Sequence, residues 1–150
     1  MGATFEKPSK ENEVKRINEI LNNPDEYNWM IELNGKIIGN VSINSIEVTS
    51  SKFGSKAGNY TILIGDKNYW GKGIAHHVGQ TVLEWAFSKG EFEIIAARAL
   101  NENSASLAML KKIGFEYIEN TTFEGQIKGE KTEWQNFKIT KQGFLNLKTK

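Results

Sequence analysis

Between Tyr60 and Leu100 the apolar pattern changes period twice, and that double change leaves the chain few folds to adopt. Tyr60-Thr61-Ile62-Leu63-Ile64 is a short β-prone run, ended by Gly65-Asp66. After a glycine-containing stretch, Ile74, Val78, Val82, Trp85 and Ala86 recur at helical spacing, and Lys89-Gly90 supplies a stop signal. Phe92 to Leu100 is then apolar on both faces, the pattern of a buried strand. Strand, helix and strand in this order make one βαβ unit. Its two strands are therefore expected to be parallel, with a right-handed crossover.

The flanking segments extend this unit into a single α+β domain over residues 1–150. Residues 1–9 read as a loose lead-in. Ser9 is placed to cap a helix carrying Val14, Ile17, Ile20 and Leu21, which Asn22-Asn23-Pro24 stops. Asn28 to Leu33 and Lys36 to about Val48 read as two strands joined by Asn34-Gly35, a strong hairpin signal. Residues 49–58, rich in Ser, Lys and Gly, read as a loop. A further helix starts at Asn103 or Ser104, carries Leu107, Leu110 and Ile113, and ends at Gly114. Phe115 to Ile118 and Trp134 to Ile139 read as the last strands, around a polar turn from Glu124 to Lys131.

Composition narrows the chemistry. The chain has no cysteine, which excludes disulfides, thiolate nucleophiles and cysteine-ligated zinc. Its two histidines are adjacent, His76 and His77, and no short motif adds the carboxylates a metal site needs, so no metal is expected. A formal charge of +1 gives no electrostatic reason to expect nucleic acid or an anionic membrane as the main partner. No apolar run approaches the roughly 20 residues of a membrane span, and residues 1–15 lack the apolar stretch of a secretory signal. A soluble, cytoplasmic chain is the expectation.

The stretch between the first strand and its helix is Trp70-Gly71-Lys72-Gly73-Ile74-Ala75. Gly71 and Gly73 permit backbone conformations closed to other residues and let the main chain approach a ligand closely. The helix that follows leaves its first N–H groups unpaired, with partial positive charge at that end. A pyrophosphate there would satisfy several donors at once, with Lys72 at the rim. A Walker loop does not fit, since five residues separate Gly65 from Gly71 and Gly73 stands where Ser or Thr belongs. The G-x-G-x-x-G dinucleotide pattern fails at His76. The pattern Q/R-x-x-G-x-G/A fits at Gly73 and Ala75, with Trp70 in place of Gln or Arg. The same glycines also suit a plain strand-to-helix turn.

The wider stretch from Ile62 to Ala75 resembles the acetyl-CoA motif of the GNAT superfamily, most closely the branch of ribosomal-protein alanine and spermidine N-acetyltransferases. A second block agrees with it: Asn103-Ser104-Ala105-Ser106, then Lys112-Ile113-Gly114-Phe115, resembles that branch's N-x-x-S/A…K-x-G-F segment. The resemblance covers roughly residues 10–140. It implies a splayed mixed sheet of about six strands with helices on both faces, and acetyl-CoA as cosubstrate. The pantetheine arm would add to the open edge of the first βαβ strand through the backbone of Ile62, Leu63 and Ile64, as a peptide does in β-augmentation. The turn Trp70, Gly71, Lys72, Gly73, Ile74 and Ala75 would hold the pyrophosphate. Asn103 would meet the arm, or serve only as a helix N-cap. Ser106 would lie near the thioester sulfur as an acid to the leaving thiolate, or remain a solvated first-turn hydroxyl.

The chain departs from the family pattern at four places. Leu110 stands where many members carry a Tyr general acid. Asn59 stands where some carry a Glu, and the Thr-Glu-Ala that often follows the turn appears as His76-His77-Val78. The family's usual first strand and helix would precede the region matched by residues 10–22. Direct transfer to a primary amine is implied, the acceptor being a small molecule such as a polyamine or a protein N-terminus, with the chain a monomer or a homodimer. The competing expectation is a CoA-binding sensor or interaction module with weak or no catalysis. Glu47 and Asp66 are candidate bases, although carboxylates at strand ends usually face water. Tyr27, Trp29, Trp134 and Phe137 either line an acceptor pocket or fill the core.

Overall fold

The computed structural model describes residues 23–124 and 130–149, and the helix expected over residues 9–21 lies outside them. Six strands form one sheet: β1 (Tyr27–Leu33), β2 (Lys36–Asn44), β3 (Ala57–Ile64), β4 (Ile94–Leu100), β5 (Glu116–Glu124) and β6 (Lys131–Thr140). Their order is β1-β2-β3-β4-β6-β5, and every pairing is antiparallel except β3 with β4. Four α-helices accompany the sheet among the described residues: α1 (Ile46–Phe53), α2 (Ile74–Phe87), α3 (Ser104–Ile113) and α4 (Lys141–Lys148). This is the α+β architecture with one βαβ unit that the sequence predicts.

Register explains where the core lies. Strand partners Trp29, Val41 and Ile62 share one face, as do Tyr27, Ile43 and Tyr60. Ile95 with Ile139 and Ala97 with Phe137 continue that face across β4 and β6. The α-helices pack against it: Trp85 of α2 meets Tyr27 and Trp29 edge-on at 4.8 and 5.1 Å between centroids, and Phe144 of α4 sits 5.4 Å from Phe87. Phe92, Phe137, Leu83 and Ile95 are fully buried, each stabilising the fold by about 1.5–3 kcal/mol through lost apolar exposure. The opposite face is polar around β2 and β3. There Asn44 donates to Ser42 at 2.9 Å and to Thr61 at 3.1 Å, and Asn59 donates to Thr61 at 3.3 Å.

Two helices lie where the sequence predicts none. The second strand ends at Asn44 rather than Val48, and residues 46–53 form α1 instead of the expected loop. Ser45, at the N-cap position, is left-handed with φ 51° and makes no side-chain cap; the carboxylate of Asp25, distant in sequence, accepts from Glu47 N–H at 2.7 Å. A cap supplied from another segment leaves no local signature. Helix α4 is capped locally, with Thr140 Oγ1 accepting from Gly143 N–H at 3.0 Å, but the glycine in its first turn hides it. Strand β5 also runs six residues past Ile118, because it is an edge strand whose later residues need no apolar pattern.

Among the described residues, Tyr60 is the one buried ionisable group held far from its ordinary behaviour. It is 4% exposed, and its hydroxyl has no hydrogen-bond partner among the described residues. Burial pushes its pKa up, well beyond the ordinary value of 10.0. Above that ordinary value the unfolded chain releases the phenolic proton while the folded chain keeps it. Stability is therefore expected to fall as pH rises past about 10, by up to about 1.4 kcal/mol per unit from this group. Tyr60→Phe should remove that slope and change stability at pH 7 by less than about 1 kcal/mol, since the hydroxyl it deletes is unpaired. Denaturant melts of both proteins from pH 8 to 11 check this; an unchanged slope in the variant would assign the alkaline loss to other groups.

Candidate active site

The parallel pair β3–β4 is the place where the sheet opens. Pairing holds at Ala57 with Ile94, Gly58 with Ile95 and Asn59 with Ala96, and goes no further. From Tyr60 to Ile64 strand β3 keeps β2 as its neighbour on one side, while its other edge faces a gap. The direction of the backbone groups follows from two contacts. The carbonyl oxygen of Leu63 lies against Gly39 of β2, and Gly65 N–H donates to Ile38 of β2 at 3.1 Å. Because N–H and C=O groups alternate sides along a strand, Tyr60, Ile62 and Ile64 turn theirs toward the gap. The same reasoning applies to β4. Asn101 N–H donates to Glu133 of β6 at 2.9 Å, so Arg98 turns its backbone groups to the gap, while the Leu100 carbonyl accepts from Asn103 N–H at 2.9 Å.

This corrects the sequence expectation in one respect. Ile62 presents its backbone groups to the gap and Ile64 its N–H, the Ile64 carbonyl accepting from the Trp70 indole, but the groups of Leu63 are committed to the sheet. Tyr60 and Arg98 join the edge-lining set, and neither carries a sequence signal for that role. Only the pairing register, which no local motif reveals, identifies them.

Helices α2 and α3 follow the C-terminal ends of the parallel strands β3 and β4, at the open end of the gap. Gly71 and Gly73 have φ of 73° and 79°, left-handed values that glycine adopts without strain. Gly73 is the N-cap residue of α2, and with no side chain it makes no cap bond. Its carbonyl accepts from His77 N–H at 3.0 Å, which leaves the N–H groups of Ile74, Ala75 and His76 at an uncapped helix end. No acidic residue lies in that first turn. The end therefore keeps its affinity for an anion. Lys72 is exposed beside it.

Trp70 is 56% exposed, yet its indole N–H donates to the Ile64 carbonyl at 2.8 Å. The bond ties the glycine turn to the last residue of β3. At the start of α3, Asn103 Oδ1 accepts from Ser106 N–H at 3.1 Å. The N-cap role is thus present; it uses the side-chain oxygen and leaves the amide donors uncommitted among the described residues. Ser106 is half-buried in the first turn of α3.

The candidate acid–base residues fare less well. Leu110 is 7% exposed and belongs to the core, so no proton donor stands at that position. Asp66 caps a 3-10 turn, accepting from Asn68 N–H at 2.9 Å, and pairs with Lys36 at 3.8 Å. Glu47 lies in the first turn of α1, not at the end of a strand. Asn59 is held in the amide and hydroxyl cluster on the polar face. Phe137 lies in the apolar core and Trp29 packs against that core, while Tyr27 stacks on Trp29 and meets Trp85 edge-on with 40% exposure. Trp134 carries the Arg98 guanidinium 4.6 Å above its ring. No three His, Cys, Asp or Glu side chains among the described residues gather as a metal site. No helix among them is long and apolar enough to cross a membrane.

The structure thus brings a splayed parallel pair and an uncapped helix end together, and comparison with known proteins gives the class of protein. Residues 2–116 match the family model described as the acetyltransferase (GNAT) domain, and the chain belongs to that family. It is an N-acetyltransferase of a family that uses acetyl-CoA. Among solved structures, a point variant of the spermidine N-acetyltransferase SpeG from Vibrio cholerae superposes with a TM-score of 0.75 at 21% identity, covering 99% of this chain and 86% of that one. The Vibrio cholerae enzyme in complex with CoA and spermine gives 0.73 at 20% identity, over 95% of this chain and 82% of that one. A probable acetyltransferase gives 0.73 at 18% identity, over 89% and 72%. No curated protein matches the sequence significantly.

Proposed function

We propose that the chain moves an acetyl group from acetyl-CoA, held in the gap between β3 and β4, directly onto a primary amine, with polyamines the first acceptors to test. The parting of β3 from β4 after Asn59 is the observation that carries this reading. It exposes strand backbone to an amide-rich arm in the way an open sheet edge receives a peptide. Ile62, Ile64 and Arg98 would hold the arm. The N–H groups at the start of α2 would hold the pyrophosphate, with Gly71 and Gly73 permitting close approach and Lys72 adding charge. Acetyl-CoA supplies an activated thioester carbonyl.

The chain's own groups do the rest. Backbone N–H groups turned into the gap are placed to stabilise charge on the acyl oxygen. Attack requires a neutral amine. An unperturbed alkylamine like that of lysine, with pKa about 10.4, is mostly protonated at pH 7, so a polyamine needs a proton acceptor that a peptide N-terminus near pKa 8 hardly needs. The buried Leu110 cannot return a proton to the thiolate, which leaves Ser106, in the first turn of α3, as the hydroxyl to test for that role. Polyamine choice is supported by the acceptors named for the Vibrio cholerae enzyme.

Thiol release from acetyl-CoA with spermidine, spermine, N-terminal peptides and aminoglycosides tests the proposal. Release is expected to be fastest with a polyamine. Leu110 also favours the second reading, a CoA-binding sensor. For that reading, acetyl-CoA at a hundredfold excess over Kd stabilises the fold by about 2.7 kcal/mol while no acceptor releases thiol.

A further inference from the structure

We infer that Trp70 is the stacking platform for the adenine of the acetyl donor, so that the site selects a nucleotide-bearing thioester over one carried on phosphopantetheine alone. The inference rests on the cofactor reading above and adds to it. A tryptophan that merely filled space at a turn would be covered. Trp70 is 56% exposed. An exposed indole would ordinarily rotate freely; this one is pinned through its N–H to the Ile64 carbonyl at 2.8 Å. An indole fixed in orientation and open to solvent loses little entropy on stacking.

Its position and its surroundings point to the same ligand fragment. Trp70 adjoins Gly71 at the proposed pyrophosphate turn and is held on Ile64, the end of β3 away from the parting at Asn59, so on the cofactor reading its ring falls on the nucleoside side of the site. The Lys67 ammonium is 6.0 Å from the ring centroid, and Lys72 follows two residues later. CoA carries a ribose 3′-phosphate beside its adenine, and a cation next to a stacking surface suits that pair of groups. Neither lysine is ion-paired among the described residues. Base–aromatic stacking tolerates any purine, so the ring face rather than an edge contact carries the preference.

Calorimetric affinities for acetyl-CoA and for S-acetyl-4′-phosphopantetheine, which keeps the thioester arm and lacks the adenosine, test this in the wild type, Trp70→Ala and Trp70→Phe. Trp70→Ala should weaken acetyl-CoA binding about tenfold or more, the range of one base–aromatic stack, and leave acetylphosphopantetheine within twofold. Trp70→Phe, which keeps a ring and loses the pinning N–H, should bind acetyl-CoA with an affinity between those of the wild type and Trp70→Ala. Equal weakening of both donors by Trp70→Ala would overturn the inference and make the indole a brace for the turn. Trp70→Phe as weak as Trp70→Ala would overturn it too. A wild type that binds neither donor would instead remove the cofactor reading itself.

Discussion

Gly39→Ala is expected to destabilise the fold by about 3 kcal/mol, near the upper end of what overpacking usually costs, and to weaken acetyl-CoA binding with it. A Cβ at Gly39 would fall 2.1 Å from the Leu63 carbonyl oxygen and 3.0 Å from the Ile64 Cα. Both are backbone atoms, so no side chain can swing aside. Gly39 also adjoins the irregularity between Ile31 and Glu32, where β1 shifts its pairing along β2. Strands β2 and β3 would have to separate at the pair Gly39–Ile64. Leu63 and Ile64 belong to the half of β3 whose far edge lines the gap, so any such movement displaces Ile62 and Ile64 as cofactor contacts. Urea unfolding and an acetyl-CoA titration of the same variant measure the two effects. A variant as stable as the wild type would show that the hairpin has slack and that the gap is not held from the β2 side.

The central unit was legible because its signals are local. Period-two and period-3.6 runs separated by glycines specify β3, α2, β4 and α3, and the structure places all four within a few residues of the predicted bounds. The glycine turn was legible for the same reason: left-handed φ at Gly71 and Gly73 is a property of those residues. Features decided by pairing were not. Nothing in Tyr60-Thr61-Ile62-Leu63-Ile64 tells which carbonyls face β2, so the sequence groups Leu63 with its neighbours and gives no sign of Tyr60. Helix α1 escaped because its cap comes from Asp25, twenty-two residues before Glu47 in the chain. In sequence Trp70 stands only in place of Gln or Arg, and its hydrogen bond to Ile64 and its exposure are what separate a braced surface ring from a core aromatic.

Gly73→Val should raise the Kd for acetyl-CoA about a hundredfold while the domain stays folded. The expected size corresponds to about 2.7 kcal/mol, or one to two charge-assisted backbone hydrogen bonds to a phosphate. A Cβ at Gly73 meets nothing within 4 Å, so the protein itself does not reject the side chain. The space the valine enters is open, at an uncapped helix end whose donors suit an anion. A left-handed φ of 79° will also strain a β-branched residue, at a cost of about 1–3 kcal/mol in stability. Gly54→Val separates the two causes. Gly54 has φ 74°, equally open surroundings and a helix-terminal position on α1, away from the turn. It should lose comparable stability and keep its acetyl-CoA affinity. If Gly73→Val folds and binds as tightly as Gly54→Val, strain explains all that the glycine does, and the turn is a bend between β3 and α2 with no anion to hold.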